Sequence, residues 1–153
     1  MGRNNTIIST LMNLSEKSPC NAKLGAIITK GSSRPESSGF NHHRTRIHGN
    51  SSTCMHAEMH AAIAIYKRIK MRKKYSDAKM RRIMNKYTVW VARISKQNRL
   101  ASSMPCMKCR NSLLYMGFSR VCFINNDGNF EIKKLNDTGF SHLSDAQLSF
   151  YGL

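Results

Sequence analysis

The chain is short of three things, and each shortage narrows what it can be. No apolar run reaches about 18 residues, so the sequence predicts no membrane-spanning helix. Its first ten residues, Met1 to Thr10, also lack the uninterrupted apolar core of a secretory signal. Cysteines total five, an odd number that argues against a closed disulfide framework. A reducing compartment, cytoplasmic or nuclear, is therefore expected. Acids are the scarcest class, with 8 Asp and Glu against 25 Lys and Arg, a formal charge of +17. The excess is concentrated: between Met59 and Asn126 there are sixteen Lys or Arg and one acid, Asp77.

The densest part is Lys67-Arg68-Ile69-Lys70-Met71-Arg72-Lys73-Lys74, followed by Lys79, Arg81, Arg82 and Lys86. A surface of this kind attracts polyanions by counterion release and long-range steering, so nucleic acid, acidic protein or an anionic membrane are the partner classes it admits. The plainer reading is a solvated helix face that maintains solubility. Met1-Gly2-Arg3-Asn4-Asn5-Thr6 also matches the M-G-x-x-x-[ST] pattern of N-myristoylation at Gly2, a pattern that fixes few positions.

At 153 residues and 41% apolar composition, the chain is long enough to bury a core and is expected to form one domain over residues 1–153. Ile7, Ile8, Leu11, Met12 and Leu14 recur at helical spacing, and Pro19 follows. Lys23-Leu24-Gly25-Ala26-Ile27-Ile28-Thr29-Lys30 is a short apolar run, with turn material through Pro35 and a returning strand near Ser37-Ser38-Gly39-Phe40-Asn41. Residues 42–53 have no periodicity and read as a loop. A second helix should start near His56 with Ser52 or Thr53 as N-cap, continuing through Ile65 and Ile69 into the basic run. Tyr87-Thr88-Val89-Trp90-Val91-Ala92-Arg93-Ile94 is the clearest strand. Residues 95–104 form a polar loop, and Pro105 at a first helical position opens a helix that runs to Gly117. Arg120-Val121-Cys122-Phe123-Ile124 is a strand, Asn126-Asp127-Gly128 a tight turn, and Asn129-Phe130-Glu131-Ile132 its antiparallel return. The tail, residues 133–153, is less decipherable, with a helical turn near Ser144 to Leu148. This order predicts a three-layer α/β/α domain with a five-stranded mixed sheet.

Two clusters carry chemistry. His56-Ala57-Glu58 sits where a helix begins, and Pro105-Cys106-Met107-Lys108-Cys109 lies downstream at the start of another. One imidazole and two thiolates give zinc three protein ligands and leave its fourth position open for water, the mark of a catalytic site. A helix N-terminus also favours thiolate over thiol. The alternative is a closed structural site with Cys54 as fourth ligand, which would leave Glu58 with no explained role. His60, one turn after His56, reads as packing or support, because the ligand count is already met.

The H-x-E and P-C-x-x-C pair matches the signature of the zinc deaminases, and the chain resembles the cytidine/deoxycytidylate deaminase superfamily over about residues 23–132. The hairpin ending in Gly39-Phe40-Asn41 and the stretch Cys109-Arg110-Asn111 through Val121 resemble the family as well. The resemblance implies Zn2+ held by His56, Cys106 and Cys109, Glu58 as catalytic proton shuttle, and Asn41 on the sugar hydroxyl or base. It implies a pyrimidine nucleoside or nucleotide as substrate and, commonly in the family, a homo-oligomer. The spacer from Met59 to Met104 is longer than the family leads one to expect, the extra length coinciding with a basic insertion at residues 67–86. The short turn after Ile124 resembles the free-nucleoside branch, whereas the basic surface suggests a polymer. Two readings follow: a deaminase acting on cytosine in a nucleoside, nucleotide or single-stranded nucleic acid, or a basic deaminase-fold protein with a structural, assembly or nucleic-acid-binding role.

Overall fold

The computed structural model describes residues 2–20, 23–31, 35–42, 46–47, 50–51, 56–95, 97 and 99–136. The expected caps Ser52 and Thr53, the alternative ligand Cys54 and the helical turn near Ser144 lie outside these residues. The elements in chain order are α1 (Gly2–Glu16), β1 (Lys23–Lys30), β2 (Pro35–Phe40), β3 (Arg46–Ile47), β4 (Asn50–Ser51), α2 (Ala57–Lys73), α3 (Asp77–Met84), β5 (Tyr87–Ile94), β6 (Leu100–Ala101), α4 (Met107–Met116), β7 (Arg120–Ile124) and β8 (Phe130–Lys134). Among the described residues no helix is long and apolar enough to cross a membrane.

Five strands lie in the order β2-β1-β5-β7-β8, and β6 pairs with β5 as a sixth. The expected count of five is therefore corrected to six: Leu100 and Ala101, assigned to a loop on polarity, pair with Ile94 and Arg93. β1 runs antiparallel to both β2 and β5, β5 is parallel to β7, and β7 is antiparallel to β8. The β5 to β7 crossover carries α4, as a parallel pair requires. The return to β8 is the Asn-Asp-Gly turn, where Gly128 takes φ +83° and Asn125 Oδ1 accepts from the amides of Asp127 and Asn129 at 3.0 Å each. Residues 42–53, expected as loop, also contain the two-residue ribbon β3-β4.

Strand side chains alternate between two clusters, as the pleat dictates. Ala26, Ile28, Val89, Val91, Val121 and Phe123 face the cluster that takes in α2, α3 and α4. Ile27, Trp90, Ala92, Cys122 and Ile124 face Ile7, Leu11 and Leu14 of α1. β1 and β5 are buried along nearly their whole length, which explains why their sequences are continuous apolar runs rather than alternating ones.

The basic run is helical but not one helix. Lys74 ends α2 in the left-handed conformation, φ 54°, with its amide on Lys70 O at 2.8 Å. Ser76 then caps α3, its hydroxyl accepting from the Lys79 amide at 3.3 Å. Met80 and Met84 are buried in the core, so α3 is held by packing despite its charge. Pro105 lies outside α4: the N-cap is Cys106, in extended backbone at φ −67°, ψ 160°.

Candidate metal centre and active site

The site is built at two helix starts. α2 packs against β2 closely enough that a Cβ on Gly39 would sit 2.7 Å from Ala61 N and 2.8 Å from Ala57 O. Small residues on α2, Ala57, Ala61 and Ala62, are all buried at this contact end. That seating fixes His56, the N-cap of α2, in extended backbone at φ −75°, ψ 149°. Its side chain makes no cap hydrogen bond and turns instead to the thiols of the second helix start. The cap preference of the sequence has yielded to the site.

Cys106 and Cys109 come from the first turn of α4. The loop leading to them is pinned by Ser103, whose amide donates to Ile124 O at 2.9 Å and whose hydroxyl donates to Val91 O at 2.8 Å. The same hydroxyl accepts from the Ile124 amide at 2.8 Å, so one buried serine bridges β5 to the C-terminal end of β7. Sequence reasoning missed Ser103, since a serine in a polar stretch carries no signal of burial. Arg110, named in the family-like stretch after the second cysteine, carried no sign in the sequence of being buried, yet it is 2% exposed.

His56 Nδ1 lies 3.0 Å from Cys109 Sγ and 3.6 Å from Cys106 Sγ, and the three candidate ligand atoms lie within 4.8 Å of one another. A tetrahedral zinc with Zn–S of about 2.3 Å and Zn–N of about 2.0 Å spaces neighbouring ligand atoms by about 3.5 to 3.8 Å. To hold that ion, His56 Nδ1 and Cys109 Sγ must part by about 0.5 Å, and no pair of the three atoms has to close by more than about 1 Å. Cys109 is fully buried, His56 half-buried and Cys106 exposed, so the group is open on the Cys106 side. The Cys109 thiol donates to Cys106, with help from His56, and holds Cys106 down to about 4. Cys109 itself is pushed well up by that bond and by burial.

Glu58, two residues on, is buried at 2% exposure, and burial pushes its carboxyl above the usual range. A backbone hydrogen bond, His56 and the Cys109 thiol offset part of this. Its Oε2 has no hydrogen-bond partner among the described residues. A buried carboxylate oxygen left without a donor is costly to folding and is retained where it has something else to bind.

His60 does not join the ligand group. Its Nδ1 lies 3.2 Å from both the amide and the carbonyl of Phe40, and its ring stacks edge-on with His42 at 4.8 Å and with Phe40 at 5.4 Å. Asn41 lies just past β2, where its Oδ1 accepts from the Leu24 amide at 2.9 Å and its carbonyl accepts from Ser18 Oγ at 2.8 Å. These bonds orient the residue from the strand side.

With the geometry in view, the likenesses are consistent. The crystal structure of a cytidine deaminase from Burkholderia pseudomallei superposes with a TM-score of 0.58 at 17% identity, over 87% of this chain and 93% of that one. At that identity the match shows a shared fold. No curated protein sequence is significantly similar to this chain. The family described as the cytidine and deoxycytidylate deaminase zinc-binding region matches residues 2–125. The chain belongs to that family, and the His56, Cys106 and Cys109 donors are suited to its Zn2+.

Proposed function

We propose that the protein is a hydrolytic deaminase that converts cytosine to uracil, with release of ammonia, in a nucleoside or nucleotide. The observation that carries this reading is Glu58, a buried carboxyl with a partnerless oxygen beside a three-donor metal group. A purely structural metal site has no use for it, which argues against the assembly or binding role as the main one. Zinc held by His56, Cys106 and Cys109 supplies an acidified water when bound.

The chain's own residues do the rest. As the water oxygen bonds to C4, Glu58 takes one of the water's protons at Oε2 and delivers it to N3. It then takes the second proton, from the hydroxyl now on C4, and delivers it to the amine, so that the C4–N bond breaks, ammonia leaves and C4 keeps the oxygen. Its burial excludes bulk water and holds its pKa up, nearer to the operating range of a proton shuttle. Asn41, oriented by its bonds to Leu24 and Ser18, presents its side chain to the sugar or base. The antiparallel pairing of β7 with β8 supports a small, free substrate, since the resemblance links that pairing to the nucleoside branch. Self-association in a cytoplasmic or nuclear compartment belongs to the same reading and is tested by size-exclusion chromatography and localisation. The decisive experiment is a panel of cytidine, deoxycytidine, dCMP and single-stranded oligonucleotide. Turnover of the monomeric substrates supports the proposal; turnover of the oligonucleotide alone moves the substrate to polymer.

A further inference from the structure

The strongest feature that the deaminase reading leaves unused is the charge at the other end of α2. Along a helix rising about 1.5 Å per residue, Lys67 and Lys74 stand about 16 and about 27 Å from His56. α3 lies at the same end, because Arg81 meets the C-terminus of α4. A Cβ on Gly117 would run into Arg81 O, and Arg81 Nε donates to Tyr115 O at 3.3 Å. Lys67, Arg72, Lys73, Lys74, Lys79, Arg82 and Lys86 are all exposed there. The one acid of the segment, Asp77, is taken by Lys70 at 2.7 Å. Cations in the last turn of a helix complement its dipole, which accounts for Arg72, Lys73 and Arg82 but not for Lys67, Lys74, Lys79 or Lys86.

We propose that this end of the molecule, the second half of α2 together with α3, is a docking surface for nucleic acid gripped by its phosphates. The cations of α2 leave the helix over most of its circumference, at about 100° per residue. A flexible polyanion can wrap such a tip, whereas a flat membrane touches one side of it. A membrane-lying helix also keeps an apolar face outward. Here Ile63, Ile65, Met80 and Met84 are spent in the core, and Met71 is the large apolar side chain left exposed on these helices. At about 3.4 Å of helix axis per base pair, the distance to the metal centre spans about five to eight base pairs of a duplex. The surface is therefore separate from the substrate site, and the inference does not rest on the deaminase reading.

The test uses the full chain and fluorescently labelled single-stranded RNA, single-stranded DNA and duplex, titrated by anisotropy between about 50 and about 200 mM salt. Log affinity should fall linearly with log salt. A variant with Lys67→Gln, Arg72→Gln, Lys73→Gln and Arg82→Gln should lose about 0.7 of slope per contact on single strands, so its affinity should fall less between about 50 and about 200 mM salt than that of wild type, by about 7-fold if two contacts are lost and about 50-fold if four are. A charge-matched control, with Lys17, Lys23, Lys133 and Lys134 changed to Gln, should keep the wild-type slope. Both variants should melt as wild type and turn over free substrate as wild type does, and Glu58→Gln should bind normally. Salt-insensitive binding, no binding, an equal loss in the control, or displacement of the oligonucleotide by phosphatidylserine vesicles or polyglutamate at equal charge overturns the proposal.

Discussion

Replacing Gly39 with alanine tests the contact that couples the sheet to the metal centre. The new Cβ would lie 2.7 Å from Ala61 N, 2.8 Å from Ala57 O and 2.8 Å from His60 Cβ. Two of these are backbone atoms in the first turns of α2, so no side chain can swing aside to relieve the overlap. Either β2 or the start of α2 must move. Overpacking of this kind costs about 1 to 3 kcal/mol, and at about 2 to 4 °C per kcal/mol for a chain of this size the midpoint falls by about 2 to 12 °C. The same shift displaces His56 relative to Cys106 and Cys109, and disturbed ligand support costs about 10- to 100-fold in metal affinity. Gly31→Ala is the control, with φ +65° and nothing within 4 Å of its Cβ. It should lose about 1 to 2 kcal/mol from left-handed backbone alone and bind zinc as wild type does. Thermal melts of the zinc-free proteins and competitive zinc titrations read both effects. A Gly39→Ala protein with wild-type zinc affinity would refute the coupling, even if its stability fell.

Two further outcomes follow from buried groups. Ser103→Ala leaves Val91 O without its serine donor and the Ile124 amide without its acceptor; at about 1 to 3 kcal/mol for each unsatisfied group, denaturant midpoints should drop clearly and zinc content should fall as the Cys106 loop loosens. Cys122 is 1% exposed and burial pushes its thiol up to about 12. A raised thiol pKa means the neutral form persists as pH rises, so alkylation of native Cys122 should be slow at every pH from 7 to about 10 and still be climbing tenfold per unit there, far below its pKa. A rate in the folded protein that levels off near pH 9, as an ordinary thiol's does, would contradict its placement.

Much of this architecture is legible in the chain because burial and chemistry pull the same way. β1 and β5 sit centrally and need apolar residues on both faces, so their sequences mark their own ends at Lys23, Lys30, Tyr87 and Ile94. The metal donors are legible because thiols and imidazole at helix starts have few other reasons to stand at that spacing. The misses come where local rules lose to context. Thr53 or Ser52 is the better cap by propensity, yet His56 holds the N-cap position of α2 with its ring committed to the cysteines. Pro105 suits a first helical turn, but Cys106 must be extended to present its sulfur, which puts the proline one residue outside. The break at Lys74 was hidden by a run of good helix formers, though Ser76-Asp77 carried a capping signal. β6 and Ser103 exist only through pairing with distant strands, which no local pattern encodes.

The most direct measurement compares cytosine deamination and zinc content in the wild type and in Glu58→Ala. The account predicts about one zinc bound in both proteins, with turnover falling by about 10²- to 10⁴-fold when the proton shuttle is removed. Equal turnover in the two proteins, or a zinc-loaded wild type inert on every cytosine substrate, would contradict it.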